Sequence, residues 1–160
     1  RVVYELQEEF ANIKYFGTLS PIQGFADWFK DLEDNQISEI LGEPNKNILD
    51  FLKSPDLKIG DKRIVDNKES ICRIALYYLT IVKNELGFPL NDVCRFHLKN
   101  GAEIDDIVIN GNVSEIGFKR SFGVMVNYNY ELKNIEQNHQ EYVNDKKVNI
   151  SRKIKKYVKN

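Results

Sequence analysis

Apolar positions along this chain recur at two spacings, and the switch between them marks out the elements. Val2, Val3, Leu6, Phe10 and Ile13 fall at helical spacing, as do Phe25, Trp28, Phe29 and Leu32. A broader helical face joins Ile71, Ile74, Ala75, Tyr78, Leu79, Val82 and Leu86, capped by Asn67 or Ser70 and ended by Gly87 and Pro89. A shorter helix is expected from Asn91-Asp92 to Asn100-Gly101, carrying Val93, Phe96 and His97, and a last one from about Glu131 with Leu132, Ile135, His139 and Tyr142. Strand character is confined to three stretches: Tyr15 to Leu19, Ile104 to Ile109 before an Asn-Gly turn, and Gly123 to Tyr130. In the last of these Val124, Val126, Tyr128 and Tyr130 alternate with Met125, Asn127 and Asn129.

Between Glu33 and Asp66 the pattern breaks into short pieces, Ile37 to Leu41 and Ile48 to Leu52, separated by Gly-Glu-Pro and Ser-Pro-Asp turns. This region reads as an insertion or surface elaboration. The order of elements argues a mixed α/β domain in which helices cover a sheet.

With 160 residues, 42% of them hydrophobic, the chain is long enough for one domain with a substantial core. A formal net charge of −1 gives no reason to expect nucleic acid as a partner. The exception is local: Lys146, Lys147, Arg152, Lys153, Lys155, Lys156 and Lys159 alternate with Val148, Ile150, Ile154 and Val158, as in a basic amphipathic helix or a solvated surface helix. Cys72 and Cys94 stand far apart among apolar residues and look like reduced core thiols of an intracellular protein. No metal site is expected, because His97 and His139 lack companions at ligand spacing, and no apolar run is long enough to span a membrane. A glycine-rich phosphate loop is also missing.

The candidate chemistry gathers at two places. In FGTLSPIQGF, Phe16 to Phe25, proline biases Ser20 toward extended geometry at a strand end, and Gly24 permits a tight turn or a close approach to a ligand. Ser20 in LSPIQG does not fit the G-x-S-x-G elbow of serine hydrolases. In RFHLKNGA, Arg95 to Ala102, His97 precedes a glycine-ended helix and a strand, where an imidazole can exchange a proton with a nearby hydroxyl. On spacing alone a hydrogen-bonded core histidine is the commoner occupant of such a position, and Tyr128 and Tyr130 are more often core residues than proton donors.

These segments, with VVYELQEEF at Val2 to Phe10, GVMVNYNYEL at Gly123 to Leu132 and IEQNHQEY at Ile135 to Tyr142, resemble the malonyl-CoA decarboxylase family in order and spacing. The resemblance implies the C-terminal portion of an acetyltransferase-like (GNAT-type) mixed sheet covered by helices. Residues 1–160 would then be the C-terminal part of the catalytic domain, with its start and a helical N-terminal domain absent, and this piece alone inactive. An uncapped first helix beginning at Arg1 agrees with that expectation.

The implied activity is decarboxylation of malonyl-CoA to acetyl-CoA and CO₂, regulating malonyl-CoA in fatty acid metabolism. By resemblance Ser20 and His97 form the catalytic pair, while Tyr130 and Gly24 line the substrate site. Gln23 departs from the family's usual proline. No cofactor, nucleic acid or membrane is implied; malonyl-CoA is the partner, and a homo-oligomer of the full-length chain is expected in the cytoplasm or mitochondria. An acyl-CoA-dependent acyltransferase on the same fold, or a non-catalytic fragment, are the competing readings.

Overall fold

The computed structural model describes residues 1–13 and 15–158. Three strands, β1 (Phe16–Pro21), β2 (Glu103–Val108) and β3 (Met125–Tyr130), form an antiparallel sheet in the order β1-β3-β2. The architecture is mixed α/β, as expected, but every pairing of named strands is antiparallel where a mixed sheet was anticipated. The last strand in sequence is thus the central one. Its register opposes Phe16 to Tyr130, Thr18 to Tyr128 and Ser20 to Val126, so these six side chains share one face. On β2 a bulge between Ile104 and Asp106 sets Asp105 apart from the ladder.

The helices are α1 (Val2–Glu9), α2 (Phe25–Lys30), α3 (Asp34–Leu41), α4 (Lys46–Leu52), α5 (Lys62–Asp66), α6 (Lys68–Thr80), α7 (Asp92–Lys99), α8 (Glu115–Ser121) and α9 (Leu132–Asp145). The apolar stripe of α1 buries nothing within the described residues. Phe25 and Phe29 of α2 meet Phe122 edge-on, at 6.0 and 5.6 Å between ring centroids, and Tyr78 of α6 packs 5.7 Å from Phe25. This aromatic cluster anchors the helices that follow the Ser-Pro turn.

Three expectations are corrected. The segment from Glu33 to Asp66 is not a surface elaboration: Ile37, Ile40, Leu41, Ile48, Leu49, Phe51, Leu52 and Ile64 are all part of the core. Short helices with apolar spacing of this kind bury their faces wherever a neighbour exists, and here α3 lies against both α4 and α6.

The long helix ends at Thr80 rather than Leu86. Asn84 takes over the backbone there, its side-chain oxygen accepting from the N–H groups of Leu86 (3.0 Å) and Phe88 (3.1 Å) while its own N–H donates to the Phe88 carbonyl (2.8 Å). An asparagine offering such bonds competes with helix continuation, and Leu86 is left 71% exposed.

The basic tail is not one amphipathic helix. Ser151 N–H donates to the Ile104 carbonyl and Ile104 N–H to that of Asn149, both at 2.9 Å, so the tail lies along the edge of β2. A 3-10 turn, Arg152–Tyr157, then buries Ile154 and Tyr157. Lys153 closes on the buried carboxylate of Asp105 at 2.6 Å, a group that also accepts from the Tyr15 hydroxyl at 2.6 Å. Lys159 falls outside the described residues. Helix α8, capped by the Ser114 hydroxyl on Gly117 N–H (3.0 Å), fills a stretch to which the sequence pattern assigned no element.

Candidate functional site

Helix α7 delivers His97, and its start is set by Asn91. The Asn91 side-chain oxygen accepts from Cys94 N–H (2.8 Å), a typical N-cap, and its amide donates to the Gln23 carbonyl (2.8 Å). The Tyr78 hydroxyl donates to that same carbonyl at 3.3 Å. One buried asparagine therefore ties the turn after Ser20 to the helix carrying His97. Gly24, next to that carbonyl, has φ +80°, and a Cβ there would stand 2.9 Å from the Tyr78 hydroxyl. Its role in this structure is to let the turn close against α6.

His97 is buried, its ring stacked on Tyr128 at 4.3 Å with 22° between planes. Phe96 meets the imidazole edge-on at 5.2 Å while remaining 62% exposed. The His97 Nδ1 atom and the Tyr130 hydroxyl lie 2.5 Å apart. Burial lowers the pKa of His97, favouring the neutral ring, and burial raises that of Tyr130 to about 12, which keeps the phenol protonated. The phenol therefore donates to Nδ1, and the imidazole carries its proton on Nε2; the reverse arrangement would leave the phenolic proton without an acceptor among the described residues.

Beneath this pair, the Tyr128 hydroxyl is buried beside the Cys94 thiol, makes no hydrogen bond of ordinary geometry among the described residues, and is pushed strongly upward in pKa by burial. The Cys94 thiol is held upward by the same burial.

His97, Tyr130, Phe96 and Asn100 line a cleft of about 460 Å³, together with Thr18 of β1 and the start of α1. Arg1, ion-paired with Glu5 at 2.9 Å, also lines this cleft. A second cleft, about 490 Å³, lies on the other flank of α7 and shares Phe96, but its walls of Phe88, Tyr142 and Val143 are lined with Asp92, Arg95 and Lys99 and contain no imidazole. Of these two clefts the first is the one that holds an imidazole. Among the described residues no group of three or more His, Cys, Asp or Glu side chains stands at metal-holding geometry, and no helix is long and apolar enough to cross a membrane.

Of the four residues singled out by the sequence, the structure brings His97 and Tyr130 together. Ser20 shares the sheet face of Tyr130 through its pairing with Val126, yet its hydroxyl makes no hydrogen bond, to His97 or to any other group, among the described residues. Neither Ser20 nor Gly24 is in the cleft lining. Asn91, Tyr78 and Thr18 went unnoticed as site residues. Asn91 and Tyr78 reach Gln23 across 68 and 55 positions, which no local pattern encodes, whereas Thr18, two residues before Ser20, was within reach of the strand's own alternation.

A family model described as the malonyl-CoA decarboxylase C-terminal domain matches residues 1–160. The mitochondrial malonyl-CoA decarboxylase of Anser anser anser is 32% identical over 176 residues, covering 99% of this chain and 35% of that protein. That of Rattus norvegicus is 33% identical over 172 residues, covering 96% and 35% respectively. The crystal structure of malonyl-CoA decarboxylase from Cupriavidus metallidurans is similar with TM-score 0.81 and 30% identity, over 99% of this chain and 42% of that one. The corresponding structure from Rhodopseudomonas palustris gives 0.78 and 32%, over 99% and 36%. The chain spans about a third of the length of the curated relatives it matches.

Proposed function

The chain belongs to the malonyl-CoA decarboxylase family, and from that membership we propose that the full-length protein converts malonyl-CoA to acetyl-CoA and CO₂ as a step of fatty acid metabolism. The observation that carries this reading is the neutral, buried imidazole of His97, hydrogen-bonded to a protonated Tyr130 in the wall of a cleft. When the carboxylate leaves as CO₂, its bonding electrons pass to the thioester carbonyl, which is itself the electron sink. What the protein must supply is stabilisation of the enolate and a proton for its carbon.

His97, with its proton on Nε2, and Ser20 orient the malonyl group and deliver that proton, while Tyr130 holds the imidazole in the right tautomer. Ser20 stands on the strand paired with that of Tyr130 and outside the cleft lining, so its part in this reading rests on the family resemblance. The turn at Gly24 supports this arrangement through the Gln23 carbonyl. We assign residues 1–160 to the C-terminal part of the catalytic domain, in an acetyltransferase-like fold. Support for that fold comes from the central placement of the last strand and from β1, whose other edge is unpaired among the described residues.

The test is release of CO₂ and acetyl-CoA from malonyl-CoA by the full-length protein with no amine present. Acyl transfer to an amine without CO₂ release would instead point to a transferase. Ser20→Ala and His97→Asn are each expected to lower kcat by about 10²- to 10⁴-fold with little change in KM, and the double variant to be scarcely worse than the worse single one. His139→Asn leaves turnover intact, because His139 is exposed and its Nδ1 is engaged with the Lys99 carbonyl. A folded His97→Asn protein with wild-type kcat would sink this assignment.

A further inference from the structure

We infer that the Thr18 hydroxyl is a further hydrogen-bonding group of the site, donating to an oxygen of the bound acyl group. The inference rests on the decarboxylase reading for the identity of the ligand. Thr18 lines the cleft that holds His97 and Tyr130, and its Oγ1 is buried without a hydrogen-bond partner among the described residues. In register it opposes Tyr128, the ring on which His97 stacks, so the hydroxyl belongs to the sheet face that carries the site.

A buried hydroxyl left without a partner is a net cost that valine, with the same shape and a higher strand preference, would not incur. Packing alone therefore does not account for threonine at this position. The other donors of the cleft are largely engaged: the Tyr130 hydroxyl with His97, and the Asn100 amide with the Phe96 carbonyl at 2.7 Å. Of the donors that α7 and the sheet bring to the cleft, that leaves His97 Nε2–H and the Thr18 hydroxyl, while Arg1 and Tyr4 line it from the start of the chain.

A malonyl thioester carries oxygens at both ends of a three-carbon unit, a carboxylate and a thioester carbonyl, and two donors on one wall suit such a ligand. Rotation about the Thr18 Cα–Cβ bond exchanges hydroxyl and methyl between staggered positions without moving the strand, the route by which the hydroxyl would turn to a ligand in the cleft.

The experiment compares Thr18→Val and Thr18→Ser in the full-length protein, with turnover of malonyl-CoA and calorimetric affinities for malonyl-CoA and acetyl-CoA. Thr18→Val is expected to fold normally, with a denaturation midpoint at or above wild type, and to lose about 10- to 100-fold in kcat/KM. Thr18→Ser, which keeps the hydroxyl, retains activity within about threefold of wild type. Loss in kcat places the bond on the thioester oxygen, where charge develops. Loss in affinity for malonyl-CoA, with acetyl-CoA binding unchanged, places it on the carboxylate.

A valine variant equal to wild type in turnover and affinity overturns the inference while leaving the decarboxylase reading intact, and so does a serine variant as impaired as valine. A wild-type protein that neither decarboxylates nor binds malonyl-CoA overturns both.

Discussion

Replacing Gly24 by alanine tests whether the turn after Ser20 is held as the structure describes. At φ +80° an L side chain costs about 1–2 kcal/mol of backbone strain. The added Cβ would also stand 2.9 Å from the Tyr78 hydroxyl, closer than real contacts allow. That phenol is partly buried and donates to the Gln23 carbonyl, so moving it forfeits about 1 kcal/mol more. The expected cost is therefore about 2–3 kcal/mol, from those two terms.

At a urea m-value of about 2 kcal/mol/M this lowers the unfolding midpoint by about 1–1.5 M, with the slope unchanged. The decisive arm is Tyr78→Phe, which removes the hydroxyl and with it the clash. On that background Gly24→Ala should cost only the strain, about 1–2 kcal/mol, so the two substitutions are non-additive by about 1 kcal/mol. A midpoint within about 0.2 M of wild type, or strict additivity in the cycle, would show that Gly24 is not closed against α6 in this way.

Three further outcomes follow from the same geometry. Asn91→Ala removes both the cap of α7 and the amide that holds the Gln23 carbonyl, and should destabilise by about 2–3 kcal/mol in urea unfolding; a loss below about 0.5 kcal/mol would contradict the double tie. Burial depresses the folded-state pKa of His97, so the wild type's stability relative to His97→Asn is constant above the unfolded pKa of about 6.5 and declines as pH falls through the lower folded value. Urea midpoints of both proteins between pH 5 and 8 check the sign, and a difference that grows on acidification would be fatal to it. Lys153→Ala leaves the buried Asp105 carboxylate with only Tyr15 opposite among the described residues and should loosen the tail, seen as faster proteolysis between Lys146 and Val158; unchanged cleavage would mean that the backbone bonds to β2 hold the tail unaided.

Local chemistry in the sequence was sufficient for most elements. The cap at Asn91, the alternation around Tyr128 and the Ser-Pro turn each act within a few residues, and α7, β3 and β1 form where those signals stand. His97 could be named as a candidate from its segment, and Tyr130 through the family resemblance of the segment that carries it. Their meeting could not, because it joins residues 33 positions apart and depends on β3 being threaded between β1 and β2.

The same limit explains the misreadings. Whether the short apolar helices from 34 to 66 face water or core depends on α6 being alongside them. The extent of α6 was decided by Asn84 bonding to Phe88 across a turn, which outcompeted an uninterrupted apolar stripe. The basic tail's periodicity was real, but the open edge of β2 offered backbone partners and a buried carboxylate for Lys153, and those drew it out of a helix. Periodicity specifies which side chains can share a face; which surface that face meets, and so whether His97 rests against Ser20 or Tyr130, is settled only by contacts between distant segments.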